Sequence, residues 1–117
     1  MQLLINKNIF NVKIVKNSES VRKGMMKKKF NSNFNGMLFV MGQGKHCFWM
    51  KNCIIPLDII FIQDGKIIKI FHNCPPDSAP DPKTYCANGK YVLEVEGGTC
   101  KELNIKEGDP ISKHSKA

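Results

Sequence analysis

The strongest pattern in the 117-residue sequence is a pair of apolar runs on either side of Asp64-Gly65. Residues 58–63 and 66–71 flank this dipeptide, which is typical of the two-residue turn of a β-hairpin. Continued pairing from the turn places Phe61 opposite Ile68 on a wholly apolar face. We expect that face to pack in the core, and the mixed face behind it to be partly covered by something else.

Shorter alternating or apolar segments predict further strands, at residues 10–15, 37–41, 46–50, 90–96 and 110–112. The turn Gly42-Gln43-Gly44 predicts a second hairpin, formed by residues 37–41 and 46–50. In the segment 90–96, Leu93 and Val95 are predicted to face the core, and Glu94 the opposite side.

Helical signals are weaker. Residues 17–20 offer N-caps for a short helix over 20–28, and one helical turn is predicted within 99–105. Residues 73–88, which hold four of the six prolines, predict an irregular segment, and the tail from 113 is expected to fray. The fold class is therefore α+β and mainly β: a compact barrel-like or strongly bent antiparallel sheet with one or two short helices, in a single domain.

Composition supports a folded core, because 42% of the residues are hydrophobic. No apolar run is long enough to cross a bilayer. The N-terminus lacks the pattern of a signal peptide, so we expect a cytoplasmic protein, or a periplasmic or secreted one if a leader was removed.

The net charge of +8 is concentrated in residues 1–51, which hold ten Lys or Arg and one acid. A basic patch of this kind can contact nucleic acid. Nucleic-acid binding is nevertheless disfavoured, because arginine is nearly absent and no recognition motif accompanies the charge.

Residues 46–58, HCFWMKNCIIPLD, contain the most unusual chemistry. We predict that Asn52, leaving one strand, and Asp58, starting the next, meet at one end of the sheet. With the side chains of Trp49, Lys51 and Glu94 they would form a shallow ligand-binding pocket. The alternative is structural: the two polar groups bond the backbone, Lys51 lies in solvent and Trp49 lies in the core.

Three functions are compatible with these residues. The preferred one is a non-catalytic module that binds a small molecule or a protein partner. The second is a hydrolase-like enzyme using Asp58 and Glu94 as an acid–base pair, although no known catalytic motif supports it. The third is a soft-metal site for copper built from methionine, cysteine and histidine, for which core packing of the methionines is the better account. We predict no cofactor, and the spacing of the five cysteines fits no zinc site.

Several segments in order resemble the family numbered 192 among the domains of unknown function. They are GMM at 24–26, GMLFV at 36–40, FWMKN at 48–52, PLDIIF at 56–61, YVLEV at 91–95 with the following glycines, and GD at 108–109. The resemblance extends from about residue 10 to 112. It implies one compact β-rich domain with little helix, and no established activity.

The same resemblance implies a disulfide. Some relatives carry a cysteine pair in the proline-rich loop, and Cys74 and Cys86 lie where that pair would be. Many bacterial relatives also look exported, which this chain does not.

Overall fold

The computed structural model describes residues 1–115, which form nine strands and two short helices. The strands are β1 (Gln2–Ile5), β2 (Asn8–Val15), β3 (Gly36–Val40), β4 (Lys45–Trp49), β5 (Leu57–Gln63), β6 (Lys66–Cys74), β7 (Thr84–Asn88), β8 (Tyr91–Glu96) and β9 (Ile111–Lys113). The helices are α1 (Ser18–Lys23) and α2 (Thr99–Glu102). No helix in this part of the chain is long and apolar enough to span a membrane.

Seven strands form one curled sheet in the order β6-β5-β8-β3-β2-β1-β9, and β4 pairs with β7 in a separate ribbon. The two edges of the sheet approach each other at one end, where the Ile111 amide donates to the Gly65 carbonyl at 2.9 Å. The result is a half-barrel, which confirms the predicted mainly-β class with a strongly bent sheet. The sheet is mixed and not fully antiparallel, because β2 and β3 run parallel.

The β5–β6 hairpin has the predicted turn, but its register differs beyond the first two pairs. A bulge between the Ile62–Ile67 and Phe61–Lys69 pairs leaves Ile68 as the extra residue of β6, so Phe61 pairs with Lys69 and not with Ile68. Ile68 is consequently exposed. An isoleucine-rich strand has apolar residues on both faces, so the sequence pattern alone does not select one register.

The predicted hairpin between 37–41 and 46–50 is wrong. β3 lies inside the main sheet between β2 and β8, whereas β4 pairs with β7. Residues 36–39 of β3 are all buried, which requires covering on both faces. β4 has an exposed face and suits a two-stranded ribbon.

The main sheet is covered on both faces. A first core cluster, which includes Ile60, Leu93 and Val95, fills the inside of the curl. A second cluster, which includes Phe39, Phe48 and Phe61, lies on the other face under the ribbon and α1. For this reason every residue from Leu57 to Ile62 is buried, and the hairpin's mixed face is covered as predicted.

Two strands were not predicted. β1 pairs with β2 through a turn at Asn6 and Lys7, both of which have positive φ. β7 lies within the segment 73–88 that was predicted to be irregular, so only its middle lacks a strand.

The helical turn predicted within 99–105 is confirmed by α2. The first helix, predicted over 20–28, starts earlier and ends five residues earlier, because α1 covers Ser18–Lys23; the Asn17 side chain caps it by accepting from the Ser20 amide at 2.8 Å. The chain end is paired as far as His114, whose amide donates to Gln2, so fraying does not begin at Lys113. The rest of the predicted frayed tail, residues 116–117, lies outside the described residues.

Candidate functional site

A cavity of about 280 Å³ lies between α1, the ribbon and the second face of the main sheet. We call it the α1–ribbon cavity. Its apolar wall consists mainly of Met25, Phe39, Met41, Phe48 and Trp49. These side chains come from four separate elements or loops, so the cavity forms only when the ribbon and α1 are both packed on the sheet.

Glu94 is the acidic residue on this cavity. It lies on β8 between Met37 of β3 and Ile59 of β5, and its side chain faces the second core cluster. The residue is only 3% exposed, and burial raises the pKa of its carboxyl group to about 8. At neutral pH the group is therefore mainly protonated and able to donate a hydrogen bond.

The Glu94 carboxyl group has no hydrogen-bond partner among the described residues, and burial is the sole cause of its pKa shift. Every side-chain oxygen or nitrogen that is sealed from solvent in this part of the chain does have a partner. The carboxyl oxygens of Glu94 must therefore reach the surface of the cavity. A carboxyl group that is buried without a hydrogen-bond partner is unusual, because nothing offsets its desolvation. Such a group suits a site where a ligand supplies the missing hydrogen bond.

Cationic side chains also line the cavity. Arg22 is exposed on α1, and the half-buried Lys51 places its Nζ 5.0 Å from the centre of the Trp49 ring. Neither forms a salt bridge with any described residue, whereas Lys23 is paired with Glu19 at 3.1 Å. Of the predicted pocket, the structure thus brings together Trp49, Lys51 and Glu94.

Asp58 does not belong to this site. It lies opposite Val95 on the first face of the sheet, while Glu94 lies opposite Ile59 on the second face. Its oxygens accept hydrogen bonds from the backbone amides of Asn73 at 2.7 Å, Gly98 at 3.1 Å and Cys100 at 2.8 Å. Successive residues of a strand point to opposite faces of the sheet, so Asp58 and Glu94 lie on different faces. The proposed acid–base pair is therefore wrong.

Asn52 is also outside the cavity lining. It is exposed, has a φ of +58°, and contributes its backbone carbonyl to a 2.8 Å hydrogen bond from the Lys27 amide. Asn52 and Asp58 share no hydrogen-bond partner, so the predicted meeting of these two residues does not form one site. The structural alternative is correct for Asp58, and incorrect for Trp49, which is half-buried on the cavity.

The model of the DUF192 family, described as "Uncharacterized ACR", matches residues 1–113. The chain belongs to this family.

Two solved structures share the fold. A protein of unknown function from Novosphingobium aromaticivorans DSM 12444 is 29% identical, with a TM-score of 0.85 over 96% of this chain and 84% of that one. A "putative transcription regulator" from Sinorhizobium meliloti 1021 is 28% identical, with a TM-score of 0.83 over 95% of this chain and 89% of that one. None of the curated proteins matches the chain.

The cysteines of this DUF192 domain are paired differently from the expectation. Cys86 forms a disulfide with Cys47, not with Cys74. The reason is that Cys47 and Cys86 lie directly opposite each other on β4 and β7, with Cα atoms 4.1 Å apart. Cys74 is buried in the second core cluster, where its thiol donates to the Phe71 carbonyl.

The free thiols are poor nucleophiles. Burial, first of all, raises the pKa of Cys53 to about 12 and that of Cys74 to about 11, and it also raises the pKa of Cys100. A thiol in that state is seldom a thiolate at neutral pH. Within residues 1–115, no group of three or more His, Cys, Asp or Glu is arranged to hold a metal ion. Met25, Met37 and Met50 pack in the second core cluster, which is the role preferred for them.

Sequence reasoning missed Arg22. It is the only arginine in a lysine-rich chain, and that singularity was the available signal. Its position on the cavity depends on α1 folding back over β3, where the ring of Phe39 lies against Gly24. No local pattern indicates that packing.

Proposed function

We propose that this DUF192 domain is a binding module that takes a small molecule into the α1–ribbon cavity. The observation that carries the proposal is Glu94, a buried carboxyl group without a hydrogen-bond partner on the surface of a mainly apolar cavity. Small-molecule sites are commonly apolar clefts with a few polar groups that fix the ligand's orientation.

Binding is favoured over catalysis by what the lining contains. Glu94 is the single carboxyl residue among the described lining residues, Asp58 lies on the other face of the sheet, and the Cys53 thiol has a strongly raised pKa. A hydrolytic reaction needs a second group to activate water or to act as nucleophile. Among residues 1–115 we find no such group beside Glu94.

The description of the Sinorhizobium protein suggests a role in transcription for that protein. In this chain the two helices of the described part have six and four residues and lie far apart in the sequence. They do not form a helix-turn-helix. We therefore propose small-molecule binding and not nucleic-acid binding for this domain.

A fragment screen by ¹H–¹⁵N NMR tests the proposal. The library contains neutral, anionic and cationic compounds, so that the result does not depend on the charge of the natural ligand. We expect a subset to shift the amide signals of Gly24, Thr84 and Glu94, which border the cavity.

A cavity-filling variant supplies the control. Val21→Phe adds volume to the lining and should weaken binding of the same fragments about tenfold. Ile14→Phe, which introduces the same side chain at an exposed position on β2, should leave binding unchanged. Both variants are checked for native near-ultraviolet circular dichroism. Fragments that bind equally to a folded Val21→Phe protein, or that shift no cavity signal, would contradict the proposal.

A further inference from the structure

The cavity's charges and walls also indicate what class of ligand it accepts; this step rests on the proposed function. We propose that the ligand is a small organic carboxylate: its anionic group lies beside Arg22 and Lys51, its apolar body fills the cavity, and an acceptor oxygen at its other end bonds the carboxyl group of Glu94.

The cationic side chains give the first reason. Arg22 and Lys51 form no ion pair with the described residues, and Lys51 is held over the Trp49 ring. Arginine binds carboxylate with geometrically matched donors, and lysine adds a point charge. With Lys23 already paired to Glu19, two cations remain available for an anionic ligand group.

The buried carboxyl group gives the second reason. Glu94 is almost fully enclosed, yet it has no protein donor to stabilise a negative charge. A group in this position favours its protonated form and then offers an O–H donor to the cavity. A ligand acceptor, such as a ketone or ester oxygen, satisfies it without introducing a buried charge.

The walls give the third reason. Between the polar groups the lining is aromatic and thioether in character, including Phe39, Met41 and Phe48. The volume of about 280 Å³ suits an aromatic ring or a branched chain. The ligand is therefore apolar in its middle and polar at both ends.

Four related compounds test the class by isothermal titration calorimetry on the whole chain. The probe is 4-acetylphenylacetate, which has a carboxylate, a ring and a ketone. Three comparison compounds each change one feature. The amide of the probe has no charge, the corresponding primary amine has the opposite charge, and 4-ethylphenylacetate has no ketone oxygen. We expect the acid to bind best, with the amide and 4-ethylphenylacetate each about tenfold weaker and the amine weaker still.

The pH dependence of the acid probe tests the role of Glu94. The charged or titratable groups that line the cavity together with Glu94 are Arg22 and Lys23 from α1 and Lys51 and Cys53 from the loop after β4. Burial raises the pKa of Cys74 on β6, and the negative charge of Glu94 raises that pKa further. Burial, first of all, raises the pKa of Cys53 to about 12 and that of Cys74 to about 11, so both thiols stay protonated near pH 8. Affinity should therefore fall above about pH 8, approaching tenfold per pH unit, as Glu94 loses its proton.

Substitutions separate this role from a structural one. Glu94→Gln keeps a donor and should retain binding at pH 7 while removing the pH dependence. The double variant Arg22→Gln/Lys51→Gln removes both cations. It should weaken binding of the acid about tenfold and leave binding of the amide unchanged. Lys13→Gln, an exposed lysine on β2, is the matched control and should change nothing.

The outcomes are distinguishable. If the amine binds best, or if the double cation variant binds the acid normally, the proposed class is wrong. If none of the four compounds binds while other fragments still enter the cavity, the class is again wrong and the binding function stands. If no fragment of any charge enters the cavity, both proposals fail.

Discussion

The two faces of the curled sheet each bury one carboxyl group, and they treat it in opposite ways. Asp58, on the first face, accepts three backbone hydrogen bonds and joins β5 to the end of β6 and the start of α2. Glu94, on the second face and one strand away, has no hydrogen-bond partner among residues 1–115 and borders a cavity. The two buried acids thus differ in their hydrogen bonding and not in their burial.

The largest expected effect is at Asp58. Asp58→Ala leaves three amide donors without an acceptor, and we expect it to lower the free energy of unfolding by about 5 kcal/mol. Urea denaturation measures the loss. Glu96→Ala, a truncation of an exposed acid on β8, should cost less than about 0.5 kcal/mol. A loss at Asp58 no larger than that of Glu96 would show that the three bonds are not structural.

The Glu94 face should respond to pH. The pKa of Glu94 is raised from 4.5 to about 8 on folding, so the folded protein binds the extra proton between those values. The contribution of Glu94 to the free energy of unfolding should be greatest below about pH 4.5. It should decrease by on the order of 4 kcal/mol as the pH rises to about 8.

Glu94→Gln removes this decrease and should make the protein more stable than the wild type at pH 8. The matched control is Glu102→Gln on α2, an exposed acid that should leave the pH profile unchanged. Parallel wild-type and Glu94→Gln profiles in urea denaturation from pH 5 to 8.5 would contradict the assignment.

The disulfide sharpens the comparison, because it belongs to the ribbon that covers only the second face. Cys47→Ser removes a link between residues 39 positions apart and should reduce stability by about 3 kcal/mol under oxidising conditions. A reductant should destabilise the wild type and not the variant. Hydrogen exchange should rise in the ribbon while the Cys100 amide, held by Asp58, stays protected. A peptide map joining Cys74 to Cys86 would refute the pairing.

The sequence predicted the fold class better than its connections. The Asp64-Gly65 turn and the inward side of β8 have local signals, and both predictions are confirmed. Strand partners depend on contacts distant in sequence, so β3 was assigned to the wrong neighbour. The short strand β7 is not predicted, because it lies between prolines and an Asn-Gly turn. Without β7 the partner of Cys86 could not be found.

The prediction of the candidate site was likewise correct for some residues and wrong for others. The chemistry of Trp49, Lys51 and Glu94 predicts that they share a pocket, and packing does bring them to one cavity. Asp58 is predicted there for the same reason, but strand alternation turns it to the opposite face. Which face a residue takes depends on register, and the apolar residues on both sides of β5 conceal that register.

The most direct test is the protonation of Glu94 itself. A ¹³C NMR titration of the glutamate side-chain carboxyl groups, with the signal assigned by its loss in Glu94→Gln, reports that one group. The account predicts a midpoint near pH 8, far above the other glutamates. A midpoint near the ordinary value of 4.5 would mean that the group is solvated or paired, and would contradict the unpartnered carboxyl group on which the binding site depends.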